Sequence, residues 1–119
     1  MTTPYQRGYQ FELKVQVYLK ELGYTVFRVG GSHGPADLIA LFSSHRQENT
    51  IVWLIQCQRS KYFSKDKKRE LEELATKVNA SHALAWAEDA RKRGNTAIKF
   101  SDDMIVTSAP KNGRAAALG

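Results

Sequence analysis

Apolar residues recur along the chain with two different periods. Phe11, Val15, Tyr18, Leu19 and Leu22 are three and four apart, which predicts a helix from about residue 3 to residue 22. Gly23 follows where a helix C-cap belongs. From Tyr24 to Val29 the period shortens to two, predicting a first strand. Ala36–Phe42 reads as a second strand and Thr50–Gln58 as a third. The third is apolar on both faces until Gln56, so it is expected at the centre of the sheet, covered on both sides. Leu71, Leu74, Ala75 and Val78 then mark the apolar side of a second helix over residues 66–77. His82–Ala87 predicts a fourth strand, whose Ala83, Ala85 and Ala87 leave one face small enough for close helix packing. Asn95–Phe100 predicts a fifth strand at a sheet edge, and Met104–Thr107 a short extra one. The order α-β-β-β-α-β-β describes an α/β protein with a mixed sheet flanked by helices.

With 119 residues, one domain is expected, with a core over about residues 7–107 and a frayed tail over 108–119. Eighteen Lys and Arg stand against twelve Asp and Glu, a net charge of +6 that favours a polyanionic partner. Cys57 is the only cysteine, which excludes an internal disulfide and a cysteine-rich zinc site and suits a reducing compartment. The sequence holds no apolar run long enough for a membrane span and no signal peptide, so a cytoplasmic setting is expected.

Chemistry concentrates between Gly30 and Lys61. Gly30-Gly-Ser-His-Gly-Pro35 is a turn in which Ser32 either binds a phosphate or closes the turn, and His33 reads as solvated. It lacks the Gly-Lys-Ser/Thr of a P-loop. Asp37 stands at the start of the second strand, where propensity disfavours it. Gln56 and Gln58 end the third strand on one face, with Cys57 and Arg59 on the other. Glu12 borders the apolar face of the first helix. Arg59-Ser-Lys61-Tyr62-Phe63-Ser-Lys65-Asp-Lys67-Lys68-Arg69 packs six basic residues around two aromatics, a composition suited to phosphates and stacked bases.

Arg7-Gly-Tyr-Gln-Phe-Glu12, Gly31-Ser-His-Gly-Pro-Ala-Asp37-Leu-Ile-Ala-Leu41 and Ile55-Gln-Cys-Gln-Arg-Ser-Lys61, in this order and spacing, resemble the PD-(D/E)XK nuclease superfamily. Within it they look like the archaeal-type Holliday junction resolvases, phage-borne members included. The resemblance implies a restriction-endonuclease-like α-β-β-β-α-β core. It assigns Glu12 and Asp37 as acidic metal residues, with Gln56 at the motif's Glu or Asp and the Cys57 backbone carbonyl as a further ligand. The cofactor implied is Mg²⁺, with Mn²⁺ as substitute. Gln58 stands where the motif has lysine, a departure that removes a charge. It leaves four possibilities: slow chemistry, a binding-only protein, an engineered inactive variant, or a basic group relocated, for which Lys61 is preferred over Arg59.

The activity implied is metal-dependent, structure-selective cleavage of four-way DNA junctions by paired nicks, carried out by a homodimer in the cytoplasm, or in the host cytoplasm for a phage protein. Glu12, Asp37, Gln56, Gln58 and Lys61 are the expected catalytic set. Arg7, Ser32, Arg59, Lys61, Tyr62, Lys65, Lys67, Lys68 and Arg69 are the expected DNA contacts. The rival readings are a non-catalytic DNA-binding module on the same fold and a restriction or repair nuclease acting on linear duplex.

Overall fold

The structure, a computed structural model, describes residues 3–29, 34–43, 49–89 and 96–110. The expected Ser32 contact and the His33 position lie outside these residues. Helix α1 (Pro4–Glu21) opens on Thr3, whose hydroxyl accepts from the Gln6 N–H while the Gln6 side chain accepts from the Thr3 N–H. This reciprocal box, with proline in the first turn, fixes where the helix begins. It ends at Gly23, whose φ of 104° only glycine adopts without strain. Strands β1 (Thr25–Arg28), β2 (Leu38–Ser43) and β3 (Thr50–Gln58) follow, then α2 (Lys65–Val78), β4 (Ser81–Asp89), β5 (Thr96–Phe100) and α3 (Met104–Thr107).

The sheet order is β1-β2-β3-β4-β5, with β3 at the centre and β5 at an edge. Its only parallel pair among the described residues is β3 with β4, the pair that α2 connects. A parallel pair requires such a crossover, so α2 must lie across a sheet face. Strand alternation then sorts the core. Trp53 and Ile55 of β3, Leu38 and Ala40 of β2 and Ala83 and Ala85 of β4 pack with Phe11, Val15 and Leu19 of α1. The intervening Leu54 and Leu84 pack with Leu71 and Ala75 of α2, and with Phe63. The small face of β4 therefore meets the α1-side core, as its alanines require.

Three expectations need correction. Met104–Thr107 is a helical turn and not a strand: the Asp102 carboxylate accepts from the Met104 N–H and starts it. Ile105 is fully buried there, and its carbonyl accepts from the Tyr24 hydroxyl at 2.6 Å. Burial pushes that phenol up to about 12, so it stays a donor. The core also runs past residue 107, because Ala109 is buried in the α1-side cluster. Val78 is 53% exposed, not on the packed side; α2 ends there on Asn79 in the left-handed conformation (φ 57°).

Candidate nuclease site

The site lies where β3 ends and β2 begins. Asp37 precedes Leu38, the partner of Ile55, so it stands beside Gln56 across the strand pair. Its N–H donates to the Ile55 carbonyl at 2.7 Å, and its Oδ2 accepts from the Cys57 N–H at 2.8 Å. The aspartate therefore replaces a ladder hydrogen bond at the strand end with a side-chain one, which explains its presence at a position where propensity disfavours it.

Burial raises the Asp37 carboxyl above its usual range; the Cys57 N–H, Lys67 and Arg28 pull it back. Glu12 arrives from α1 and is raised too, first by burial and then by the charge of Asp37, while Arg28 opposes both. The Arg28 Nε donates to Glu12 Oε1 at 3.1 Å, and its guanidinium lies 4.6 Å over the Tyr9 ring. Two carboxylates, one raised by the charge of the other and both by partial burial, mark a site for positive charge.

Gln56 sits level with Leu84, on the α2 side of the sheet. Its Oε1 is buried and has no hydrogen-bond partner among the described residues. An orphaned amide oxygen of this kind costs roughly 1–3 kcal/mol. Next to Asp37, it is an oxygen with a lone pair to offer a cation or a hydrogen-bond donor. A set of carboxylate and amide oxygens fits Mg²⁺, which takes hard oxygen ligands and retains waters. Among the described residues no group of three His, Cys, Asp or Glu side chains could hold a metal, so such a set would need neutral oxygens to complete it. Cys57 is no nucleophile: burial, then the charges of Asp37 and Glu12, hold its thiol well above the usual range.

Gln58, level with Trp86 on the same side, uses its amide differently. Its Nε2 donates to the Ser60 carbonyl at 3.2 Å and to the Tyr62 carbonyl at 2.7 Å, clamping the turn after β3. Lys61 rides on that turn, its Nζ 5.5 Å from the centre of the exposed Tyr62 ring. Beside the turn is an open groove of about 540 Å³, lined by Arg7 and Gly8 of α1, by Cys57 to Ser60, and by Lys67 of α2. Three of its seven lining residues are cationic, as a phosphate backbone requires. Arg69 is occupied elsewhere, bridging Asp66 at 3.1 Å and Glu73 at 3.8 Å on the solvated face of α2. Lys65 and Lys68 are exposed on the first turn of the same helix.

The structure thus brings together Glu12, Asp37, Gln56 and the Cys57 backbone. It adds Arg28, which the sequence did not single out, and sets Lys67, expected only as a DNA contact, at the groove beside them. For Arg28 the available signal was its position at the end of β1; for Lys67 it was the third place of a helix capped by Ser64.

The restriction endonuclease family model (Mrr_cat) matches residues 6–87, from the start of α1 through β4. The chain belongs to that family. Every residue of the site just described falls inside the match. Among solved structures, the chain is similar to that of Archaeoglobus fulgidus Hjc, a Holliday junction resolvase from an archaeal hyperthermophile. The TM-score is 0.50 at 18% identity, over 93% of this chain and 96% of that one. This confirms the expected restriction-endonuclease-like fold. No curated protein matches. No helix among the described residues is long and apolar enough to cross a membrane.

Proposed function

We propose that this chain is a metal-dependent, structure-selective DNA endonuclease that resolves four-way junctions. The observation that carries the reading is the strand end itself: a half-buried Asp37, fixed by the Cys57 N–H, stands beside the orphaned Gln56 oxygen at a cationic groove. Asp37, Gln56 and Glu12 would hold Mg²⁺, with Mn²⁺ as substitute. When bound, the metal supplies polarisation of the scissile phosphate and a water of lowered pKa.

The chain's own residues do the rest. The Cys57 N–H holds one Asp37 oxygen and leaves the other to the site. Arg28 orients Glu12 and limits the repulsion between the two acids. Arg7, Arg59 and Lys67 line the groove that would seat the DNA backbone. Contacts to backbone carry no sequence information, so selectivity would come from the shape of the junction. A junction presents two symmetric strands, and two nicks call for two copies of the site in a homodimer.

Two other readings have specific support. The family match favours a duplex-cutting nuclease. The use of the Gln58 amide on the Ser60 and Tyr62 carbonyls favours a protein that binds without cutting. One assay separates all three: Mg²⁺-dependent cleavage of a labelled four-way junction and of a duplex of the same sequence, with binding followed in parallel. The proposal expects junction cleavage to dominate, with binding that weakens steeply in salt. Equal cutting of both substrates selects the duplex nuclease, and binding without cutting the non-catalytic module.

A further inference from the structure

The charge that Gln58 fails to supply has another source. Lys67 is the third residue of α2, and its position is set by the cap: the Ser64 Oγ accepts from the Lys67 N–H at 3.1 Å. It lines the groove together with Cys57, Gln58 and Ser60. Cys57, whose N–H holds the Asp37 carboxylate at 2.8 Å, lines the same groove. Arg28, the cation beside Glu12, is already paired with it at 3.1 Å and stacked on Tyr9. Among the described residues the Lys67 ammonium makes no hydrogen bond or ion pair, so it is available to a ligand.

We propose that Lys67 is the catalytic cation of this site: α2, not the end of β3, carries the positive charge to the reacting phosphate. The inference deepens the nuclease reading and rests on it. In the hydrolysis a water oxygen bonds to phosphorus while the bond from phosphorus to one sugar oxygen breaks. The bonding pair leaves with the sugar oxygen, which takes up a proton, and the water gives one up. A phosphomonoester and a hydroxyl result, with no net change in protons before the new phosphate ionises. Lys67 hydrogen-bonds a non-bridging phosphate oxygen as charge builds there and neither gains nor loses its proton overall. An ammonium is suited to this, being a compact point charge on a long flexible stem. The stem lets a helix residue reach a phosphate that the strand end can no longer serve.

The test compares the wild-type chain with Lys67→Met, Lys67→Met/Gln58→Lys and Lys77→Met, the last at the far end of α2. Four quantities are read: the junction cleavage rate at saturating Mg²⁺, the junction dissociation constant, the Ca²⁺ affinity of the free protein by calorimetry, and the circular dichroism spectrum. Lys67→Met is expected to slow cleavage by ~10²–10³-fold, the range for losing one donor to a developing oxyanion. Junction affinity should change far less, and the spectrum not at all. Gln58→Lys should recover most of the rate, because it returns a cation to the strand end. Ca²⁺ should bind Lys67→Met several-fold more tightly, because a positive charge facing Asp37 has gone. Lys77→Met should behave as wild type. The inference is overturned if Lys67→Met cuts normally, loses affinity as much as rate, is not rescued by Gln58→Lys, or binds Ca²⁺ unchanged. A wild-type chain that cuts neither junction nor duplex overturns the nuclease reading itself, which is a different result from any of these.

Discussion

The two helices approach one strand end with opposite charges and very different support. On the α1 side, Glu12 sits at the rim of a deep core that gathers residues from α1, all five strands and α3, Val15, Leu19, Leu38 and Ile55 being fully buried. On the α2 side, Lys67 stands at the tip of a helix that buries only Leu71 and Ala75 over a small cluster. The acid is thus mounted on the rigid face and the cation on the lightly packed one. Carboxylates that bind a metal must keep their geometry before substrate arrives. A lysine that meets a phosphate needs reach more than rigidity. On the proposed reading the difference divides the site by task, and each prediction below attacks one side of that division.

The largest effect is expected at the shared centre. Asp37→Asn keeps the shape and can still accept from the Cys57 N–H, but it removes one of the two negative charges. Cleavage of the junction should fall below detection while gel-shift affinity for it persists. Loss of binding in step with cleavage would mean that Asp37 organises the DNA groove rather than the chemistry.

The two cores give the next effect. Leu19 and Leu71 are both fully buried, one on each side. Truncation of a buried leucine to alanine costs about 2–5 kcal/mol, depending on how far the neighbours can collapse. Leu19→Ala, in the larger cluster, should fall at about 4–5 kcal/mol in urea titrations, and Leu71→Ala at about 2–3 kcal/mol because α2 can settle onto the sheet. Equal losses would show that α2 is held as firmly as α1.

Much of this frame was legible in the sequence. The expected strand over Thr50–Gln58 matches β3 to the residue, and the α1 period and its glycine stop were equally plain. Both read well because local pattern and tertiary burial agree there. Met104–Thr107 misled because Ile105 and Val106 favour strands locally, whereas burial of Ile105 and its bond to Tyr24 decide for a turn of helix. Within the site, Asp37 and Gln56 were visible as polar residues at apolar strand ends. The roles of Gln58 and Lys67 were not. Nothing in local spacing says that the Gln58 amide closes a turn, or that the crossover brings residue 67 to the groove beside the end of β3. That juxtaposition is set by the β3-α2-β4 geometry, which a period does not encode.

A smaller effect tests how α2 aims its lysine. Ser64→Ala deletes the hydroxyl that accepts from the Lys67 N–H, a loss of about 1 kcal/mol of stability. If the cap also positions the ammonium, cleavage should drop more than the stability loss explains, and Ser64→Asp, which caps as well, should restore both. A rate that follows stability alone would mean that Lys67 finds the phosphate through its flexible stem.

The smallest effect runs against intuition, because it makes the protein more stable. Asp37 and Glu12 both have carboxyls raised by burial, so their charged forms are disfavoured in the folded chain relative to the unfolded one. As pH falls, the folded state takes up these protons before the unfolded state does. Where the folded state binds more protons, stability rises with falling pH. The pair therefore weakens the fold at neutral pH, and the penalty is relieved as pH falls through the raised values toward the ordinary carboxylate range. Asp37→Asn should remove the Asp37 share at all pH values, gaining a little stability at neutral pH and flattening the acid side of the stability profile. Glu12→Gln should gain less, because it also gives up the Arg28 bridge. Divalent metal should produce the same stabilisation in the wild-type chain at neutral pH, since a ligand that binds only the folded state stabilises it. It should produce less in Asp37→Asn, and less again below the raised values, where protons compete for the carboxylates. If Asp37→Asn instead destabilised the chain at neutral pH, the carboxylate's charge on the Cys57 hydrogen bond and toward Lys67 and Arg28 would outweigh its burial. Asp37 would then hold the strand end together before it served any metal.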